Sequence, residues 1–330
     1  MSRDLIHGGA LDAMKAAFPE APQPWIDLST GVNPWPYPDR RLSERALTCL
    51  PTVTDQDACK NAMASAIGAP ADALLLAPGS ELLIRLLPDI IHPRRVAILS
   101  PTYGDHANAW KRDGIDVVET PDPLSFADKA DAVVITHPNN PDGRLFDLDA
   151  LETAREKLAA RGGWLIVDEA YADLSPEISF APRGGAEGLV VFRSFGKFFG
   201  LPGLRLSGLI APPAVRERMA RRLGVWPASG AALEIGARAY ADLDWQSQTR
   251  KELSEAADRL HDTLDRAGFK IVGGTALYRY VQSKDAHQVW ARLAEQGVYV
   301  RRFDGSNSHL RFGLPPTPAA EARLAKALTL

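Results

Sequence analysis

Lys197 closes the run Arg193-Ser194-Phe195-Gly196-Lys197, which follows directly on an apolar stretch at 189–192. Two other apolar stretches also run out into residues that carry chemistry. Residues 132–136 lead into His137-Pro138-Asn139-Asn140-Pro141-Asp142-Gly143, and 164–167 lead into Asp168 and, three positions on, Tyr171. Gly203-Leu204-Arg205 comes shortly after Lys197, and Gly79-Ser80-Glu81 opens a helical pattern upstream. An amine near a carboxylate, a phenol, an amide and a hydroxyl is a set that suits pyridoxal phosphate. The lysine forms the Schiff base. The carboxylate keeps the pyridine nitrogen protonated, so that the ring draws electrons. Phenol and amide bond the ring oxygen, while Ser, Arg and a helix N-terminus hold the phosphate. Each residue also has a plainer use: Lys197 as a solvated charge, Asp168 or Ser80 as a helix cap, Asn140 as turn chemistry. What joins them is their common place at strand ends.

The elements between these residues must bring them to one edge. From about residue 57 the chain alternates short apolar runs (96–99, 117–118, 132–136, 164–167, 189–192 and 209–210) with helical patterns, most clearly 148–161. The remaining early helices are expected at 57–68 and from Gly79-Ser80-Glu81 onward, with Ser80 as N-cap. Continuous apolar runs of this length read as buried parallel strands, and their alternation with helices predicts an α/β fold with a doubly wound, mostly parallel sheet. Ligands of such sheets sit at the carboxyl ends of the strands, where Asn140, Asp168, Ser194 and Lys197 fall. Three regions are expected. Residues 1–40, rich in proline (APQPW, NPWPYP), form an extended arm tied down against another part of the molecule. Residues 41–226 form the large α/β domain. Residues 227–330 form a smaller α+β domain with a long helical region at 231–267, strands at 270–272, 277–281, 299–301 and 310–312, a helix at 286–295 and a C-terminal helix.

Composition narrows the function classes. In 330 residues, 38 Lys and Arg against 41 Asp and Glu give a formal charge of −3, with 45% hydrophobic and 24% charged residues. This is globular composition, without the basic footprint of a nucleic-acid or anionic-membrane binder. That balance also speaks against the sensor half of a DNA-binding regulator. The most apolar segment, 74–91, is interrupted by Ser80, Glu81, Arg85, Pro88 and Asp89, so no membrane span is expected. Cys49 and Cys59 have no metal-ligand spacing and fit a reducing compartment. With no apolar leader segment at the N-terminus, a cytoplasmic protein is expected. A nucleotide-binding enzyme is disfavoured, because Gly196-Lys197 is followed by Phe198 and no GxGxxG opens a helix.

The succession NNPDG, DEAY and SFGKFFGLPGLR resembles the fold-type I pyridoxal-phosphate enzymes, the class I/II aminotransferase superfamily, over nearly the whole chain. The resemblance implies that Lys197 is the Schiff-base lysine and that Asp168 pairs with the pyridine nitrogen. It further implies that Tyr171 and Asn140 contact the ring oxygen and that Tyr103, in SPTYGDH, stacks on the ring. Gly79, Ser80, Glu81, Ser194 and Arg205 would form the phosphate cup, and Arg311, in HLRFGLP, would clamp a substrate carboxylate. Bidentate carboxylate capture favours arginine at that position.

Within the superfamily, His7-Gly8-Gly9, the run DLSTGVNP at 27–34 and RSFGKFFGL at 193–201 are similar to the branch of threonine-phosphate decarboxylases and, less closely, of histidinol-phosphate aminotransferases. That resemblance implies decarboxylation of L-threonine O-3-phosphate to (R)-1-amino-2-propanol O-2-phosphate, which supplies the linker to the lower ligand of cobalamin. Transamination by the same residues is the alternative. Arg301, in VYVRR, would hold the substrate phosphate, with Arg302 beside it as the exposed neighbour or the ligand itself. Asn33 would line the substrate site, and His7 would reach the phosphate from the arm. A homodimer is implied, since the active site of this fold sits at a subunit boundary. One departure stands out: where many relatives carry a tyrosine from the neighbouring subunit, this chain reads Cys49-Leu50-Pro51-Thr52, and Leu50 cannot bond the cofactor phosphate.

Overall fold

The computed structural model describes residues 8–112, 114–303 and 305–329. In chain order the elements are α1 (Leu11–Ala17), β1 (Ile26–Leu28), α2 (Glu44–Thr48), α3 (Val53–Ile67), β2 (Leu74–Ala77), α4 (Ser80–Leu86), α5 (Pro88–Ile91), β3 (Arg95–Leu99), α6 (Gly104–Trp110), β4 (Asp116–Thr120), β5 (Ala132–Thr136), α7 (Leu148–Ala159), β6 (Trp164–Glu169), β7 (Leu189–Ser194), β8 (Ser207–Ile210), α8 (Pro213–Leu223), α9 (Gly230–Ala241), α10 (Leu243–Arg266), β9 (Lys270–Thr275), β10 (Tyr278–Gln282), α11 (Ala286–Glu295), β11 (Val298–Phe303), β12 (Ser306–Gly313) and α12 (Pro318–Leu328). They fall into two compact units. The larger comprises 36–140 and 144–246; the smaller comprises the described residues up to Trp35, Pro141–Gly143 and Ser247 onward.

The large unit is built on a sheet of strand order β2-β8-β7-β6-β5-β3-β4. The pairs from β7 through β4 are parallel, while β8 runs antiparallel to both β7 and β2. Val133, Val134, Ile135, Leu165, Ile166, Val190 and Val191 are fully buried, at about 1.5–3 kcal/mol for each large aliphatic side chain removed from water. That apolar burial fixes the register, and the register sets Thr136 beside Asp168 and Asp168 beside Phe192. Between strands, α7 starts where Asp147 accepts a hydrogen bond from the Ala150 amide at 2.9 Å, and it buries Leu151, Ala154 and Leu158. Period-3.6 spacing of those three residues is what makes this helix legible in the sequence.

The domain boundary expected at 226 falls inside the large unit, which continues through α9. Small residues explain this: Ala232, Gly236 and Ala239 let α9 lie close on α3, and a Cβ on Gly236 would stand 2.4 Å from Leu206 and 3.0 Å from Cys59. The expected single helical region at 231–267 is two helices, broken at Asp242, whose carboxylate accepts the Trp245 amide at 3.0 Å to start α10.

The small unit carries a sheet of order β1-β11-β12-β10-β9. The arm is therefore not extended throughout: α1 forms at Leu11–Ala17, and β1 pairs with β11, in parallel. Its neighbour segment is anchored tightly, since the Gly9 amide bonds Ser29 Oγ at 2.8 Å and a Cβ on Gly8 would lie 2.4 Å from the Ser29 carbonyl oxygen.

Candidate active site

Strand ends of the large unit open into a cleft of about 770 Å³, part of it open to solvent. It is lined by Gly79, Ser80, Glu81, Tyr103, Asn140, Asp168, Tyr171, Ser194, Lys197 and Arg205, together with Thr136, Ala170, Gly196, Pro202 and Leu206. All ten residues expected to surround a cofactor thus share one cavity. Asp168 and Tyr171 are each 3% exposed, and Lys197 Nζ lies 6.0 Å from the Tyr171 ring centroid.

Asp168 is held from two sides. Its Oδ1 accepts the Ala170 amide at 3.1 Å, and its Oδ2 meets His106 Nε2 at 2.9 Å, both groups being buried. A carboxylate only accepts hydrogen bonds, so His106 Nε2 carries the hydrogen. His106 lies on α6 three residues after Tyr103, whose ring it meets edge-on at 6.2 Å. Sequence reading gave His106 no role. Its i, i+3 spacing from an aromatic residue was visible, but its carboxylate partner is 62 residues away. Burial, with a hydrogen bond to Asp105 and the nearby Asp105, Glu81 and Asp168 charges, pushes the Tyr103 phenol up, so the ring stays neutral. Beneath the Asn140 loop, Thr102 Oγ1 bonds Thr136 Oγ1 at 2.9 Å and Asn139 Oδ1 at 2.7 Å, and Asn139 Nδ2 donates to the Pro101 carbonyl.

At the other end of the cleft, Gly79 precedes α4 with φ of +96°. Ser80 is the first helical residue and makes no capping bond, so the expected N-cap moves one residue back, to Gly79. A Cβ at Gly79 would sit 2.3 Å from Arg205 Nη2. Only glycine allows both that left-handed backbone and the close approach of the guanidinium. Arg205 itself adopts φ of +54°, an uncommon conformation for arginine. A guanidinium over bare backbone, next to Ser80 and Ser194, forms a cradle for a compact anion. Amine, buried carboxylate, phenol, amide and anion cradle fit pyridoxal phosphate.

The residues expected to hold substrate belong to the small unit and are described within it. Arg301 and Arg311 are register partners across β11 and β12, so both project from one face of the sheet. Arg302 projects from the other face, over the Trp290 ring at 4.6 Å; this settles which of the two neighbours shares a face with Arg311. Arg311 is 6% exposed, donates to the Ser29 carbonyl at 2.9 Å and lies over Tyr278 at 4.8 Å. Arg301 lies over Phe303 at 5.4 Å. Asn33 is buried, and its Oδ1 accepts the Trp35 amide at 2.8 Å. His7 lies outside the described residues.

With the fold and cleft in place, comparison with known proteins is decisive at the level of class. The model of the family described as aminotransferase class I and II matches residues 23–328, and the chain belongs to that family. Relatives named threonine-phosphate decarboxylase match along essentially their whole length: one from Pseudomonas aeruginosa at 36% identity, covering 98% of this chain and 97% of the relative, and one from Sinorhizobium at 38%, covering 99% and 98%. Among solved structures, a histidinol-phosphate aminotransferase from Sinorhizobium meliloti in complex with pyridoxal-5'-phosphate superimposes with a TM-score of 0.83 at 16% identity, covering 96% of this chain and 93% of the other. Among the described residues, no helix is long and apolar enough to cross a membrane.

Proposed function

We propose that this chain is a pyridoxal-phosphate-dependent threonine-phosphate decarboxylase of cobalamin biosynthesis. It converts L-threonine O-3-phosphate to (R)-1-amino-2-propanol O-2-phosphate and CO₂. The observation that carries the reading is the convergence of Lys197, Asp168, Tyr171, Asn140 and Arg205 in one cleft, in a chain similar to decarboxylases over its full length. When bound, pyridoxal phosphate supplies an aldehyde for the substrate amine and a cationic ring that takes up the electrons of a bond broken at Cα.

The protein's own residues do the rest. Lys197 would anchor the cofactor, and its Nζ would hold the proton delivered to Cα. Asp168, braced by His106, fixes a negative charge against the pyridine nitrogen. Tyr171 and Asn140 orient the ring oxygen, Tyr103 covers the ring face, and Gly79, Ser80, Glu81, Ser194 and Arg205 hold the phosphate. Arg311 takes the substrate carboxylate and Arg301 its phosphate, with Asn33 and His7 completing the site. Holding the two anions separately would fix how the substrate is oriented about Cα and so decide which of its groups is lost. With Arg311 and Arg301 placing the carboxylate for loss, the cofactor would support decarboxylation; with the Cα hydrogen placed there instead, it would support transamination.

The working form is a homodimer in the cytoplasm. Large apolar side chains stand exposed on the large unit at Leu47, Leu50 and Val53 and at Val225 and Trp226, two segments joined where Gln56 Nε2 donates to the Val225 carbonyl at 3.2 Å. Large apolar side chains left exposed on two hydrogen-bonded segments suit association with a second copy. Borohydride reduction of the holoenzyme followed by peptide mapping tests the cofactor assignment. The reduced adduct is expected on Lys197, and an adduct on any other lysine contradicts the reading.

A further inference from the structure

Behind the cleft, the large unit buries a set of charges that the proposed reaction does not use. Asp168 and Glu169 are adjacent on β6, and Arg193 and Ser194 are adjacent on β7, so the pleat sends one of each pair to the cleft and the other to the far face. Asp168 and Ser194 line the cleft; Glu169 and Arg193 are register partners on the far side. Glu169 is 0% exposed and Arg193 is 2% exposed. Arg193 Nη1 bonds Glu169 Oε2 at 2.9 Å, and Nη2 bonds Asp173 Oδ1. Glu169 is further fixed by Ser179 Oγ at 2.7 Å and by the Phe180 amide. Burial alone would lower the Arg193 guanidinium, but the Asp173 and Glu169 carboxylates outweigh it and raise it, so the group stays charged.

The two carboxylates held by this one guanidinium lie at the two ends of the segment Glu169-Ala170-Tyr171-Ala172-Asp173, which turns from the last residue of β6 into a short 3-10 helix. Tyr171 is its middle residue, and Asp168 immediately precedes it. We infer that Arg193 is a positioning residue: by bridging Glu169 and Asp173 from behind, its fork sets the turn that aims the Tyr171 phenol into the cleft. A planar guanidinium can span two separate carboxylates in fixed geometry, which an ammonium on a flexible stem cannot. Lysine at this position would keep the charge and lose the bridge. The inference rests on the proposed cofactor reading for what Tyr171 contacts, though not for the bridge itself.

The test compares Arg193→Lys, the milder Asp173→Asn, Tyr171→Phe and the double variant Arg193→Lys/Tyr171→Phe, each loaded with pyridoxal phosphate. The measured quantity is the pH midpoint of the bound cofactor's visible absorbance. Loss of one hydrogen bond to a charged partner moves such a midpoint by roughly one unit or more. Tyr171→Phe sets the reference shift. Arg193→Lys and Asp173→Asn are expected to shift the midpoint in the same direction, and the double variant is expected to move no further than Tyr171→Phe. Variants that melt at lower temperature but keep the wild-type midpoint, or a double variant with additive shifts, would overturn the inference. Hydrogen exchange on the cofactor-free protein gives a second arm. Amides of 170–173 are expected to exchange faster in Asp173→Asn while those of β5 stay protected; unchanged protection at 170–173 overturns the bridge. A wild type with no visible band would count against the cofactor reading, and the exchange arm would still decide the inference.

Discussion

At the scale of single residues, the cleft assigns work to side chains by how they are held. Asp168 is useful as a fixed anion because both of its oxygens are engaged, by the Ala170 amide and by His106 Nε2. Asp168→Asn keeps the shape and removes the charge proposed to stabilise a protonated pyridine. Turnover is expected to fall about 10²-fold or more, equivalent to about 3 kcal/mol of barrier; steady-state kinetics at saturating cofactor check this, and wild-type rates would mean that the ring nitrogen has another partner. Of the ten residues that share the cleft, Asn140, Asp168, Tyr171, Ser194 and Lys197 stand out in the sequence because they follow apolar runs, and Gly79-Ser80-Glu81 because they open a helical pattern, whereas Tyr103 was expected only from the family resemblance. His106 was not legible, since its significance lies in a partner 62 positions away that only the fold supplies. Gly79 was expected as part of the phosphate cup; its further task, clearing space for the Arg205 guanidinium, depends on a contact that no local pattern reveals.

At the scale of elements, period and register did most of the placing. Strands β5, β6 and β7 were legible because continuous apolar runs have few alternatives once helices flank them. The arm was harder to read: proline density pointed to extended chain, yet α1 forms and β1 joins the small sheet, a pairing fixed by β11 272 positions later (Ile26 with Val298) rather than by local propensity. Alternation along β11 and β12 puts Arg301, rather than Arg302, on the face of Arg311, which supports the resemblance-based choice of Arg301 for the substrate phosphate. Arg301→Ala is therefore expected to reduce the preference for phosphorylated over plain threonine by about ten- to a hundredfold, the worth of one charge-assisted contact. Arg302→Ala, whose side chain packs over Trp290, is expected to leave that preference intact. Ratios of kcat/KM for the two substrates in both variants check the assignment, and erosion by Arg302→Ala alone would reverse it.

At the scale of the whole molecule, stability and chemistry meet in the loop that carries Asn140. His137, fully buried at the end of β5, accepts the Phe146 amide on Nδ1 at 3.2 Å and donates from Nε2 to the Ile178 carbonyl at 3.1 Å. Burial lowers its ring below the ordinary 6.5, because protonation would both charge a buried group and break the bond to Phe146. The unfolded chain then binds the extra proton first, so this residue destabilises the fold progressively as pH falls below about 6.5 and adds nothing above it. Urea midpoints measured from pH 8 to 5 are expected to fall more steeply in wild type than in His137→Gln; parallel curves would show that another group controls the acid limb. The residues gathered around the cleft suit bond-breaking chemistry on a bound cofactor, and the bond that breaks at Cα separates a decarboxylase from an aminotransferase. Its most direct measurement is CO₂ released from L-threonine O-3-phosphate by pure holoenzyme with no oxo acid present. Many equivalents of CO₂ per subunit are predicted, with 1-amino-2-propanol O-2-phosphate as co-product. No CO₂ release, with about one equivalent of substrate per subunit converted to its oxo acid and further turnover only when 2-oxoglutarate is added, would contradict decarboxylation and identify an aminotransferase.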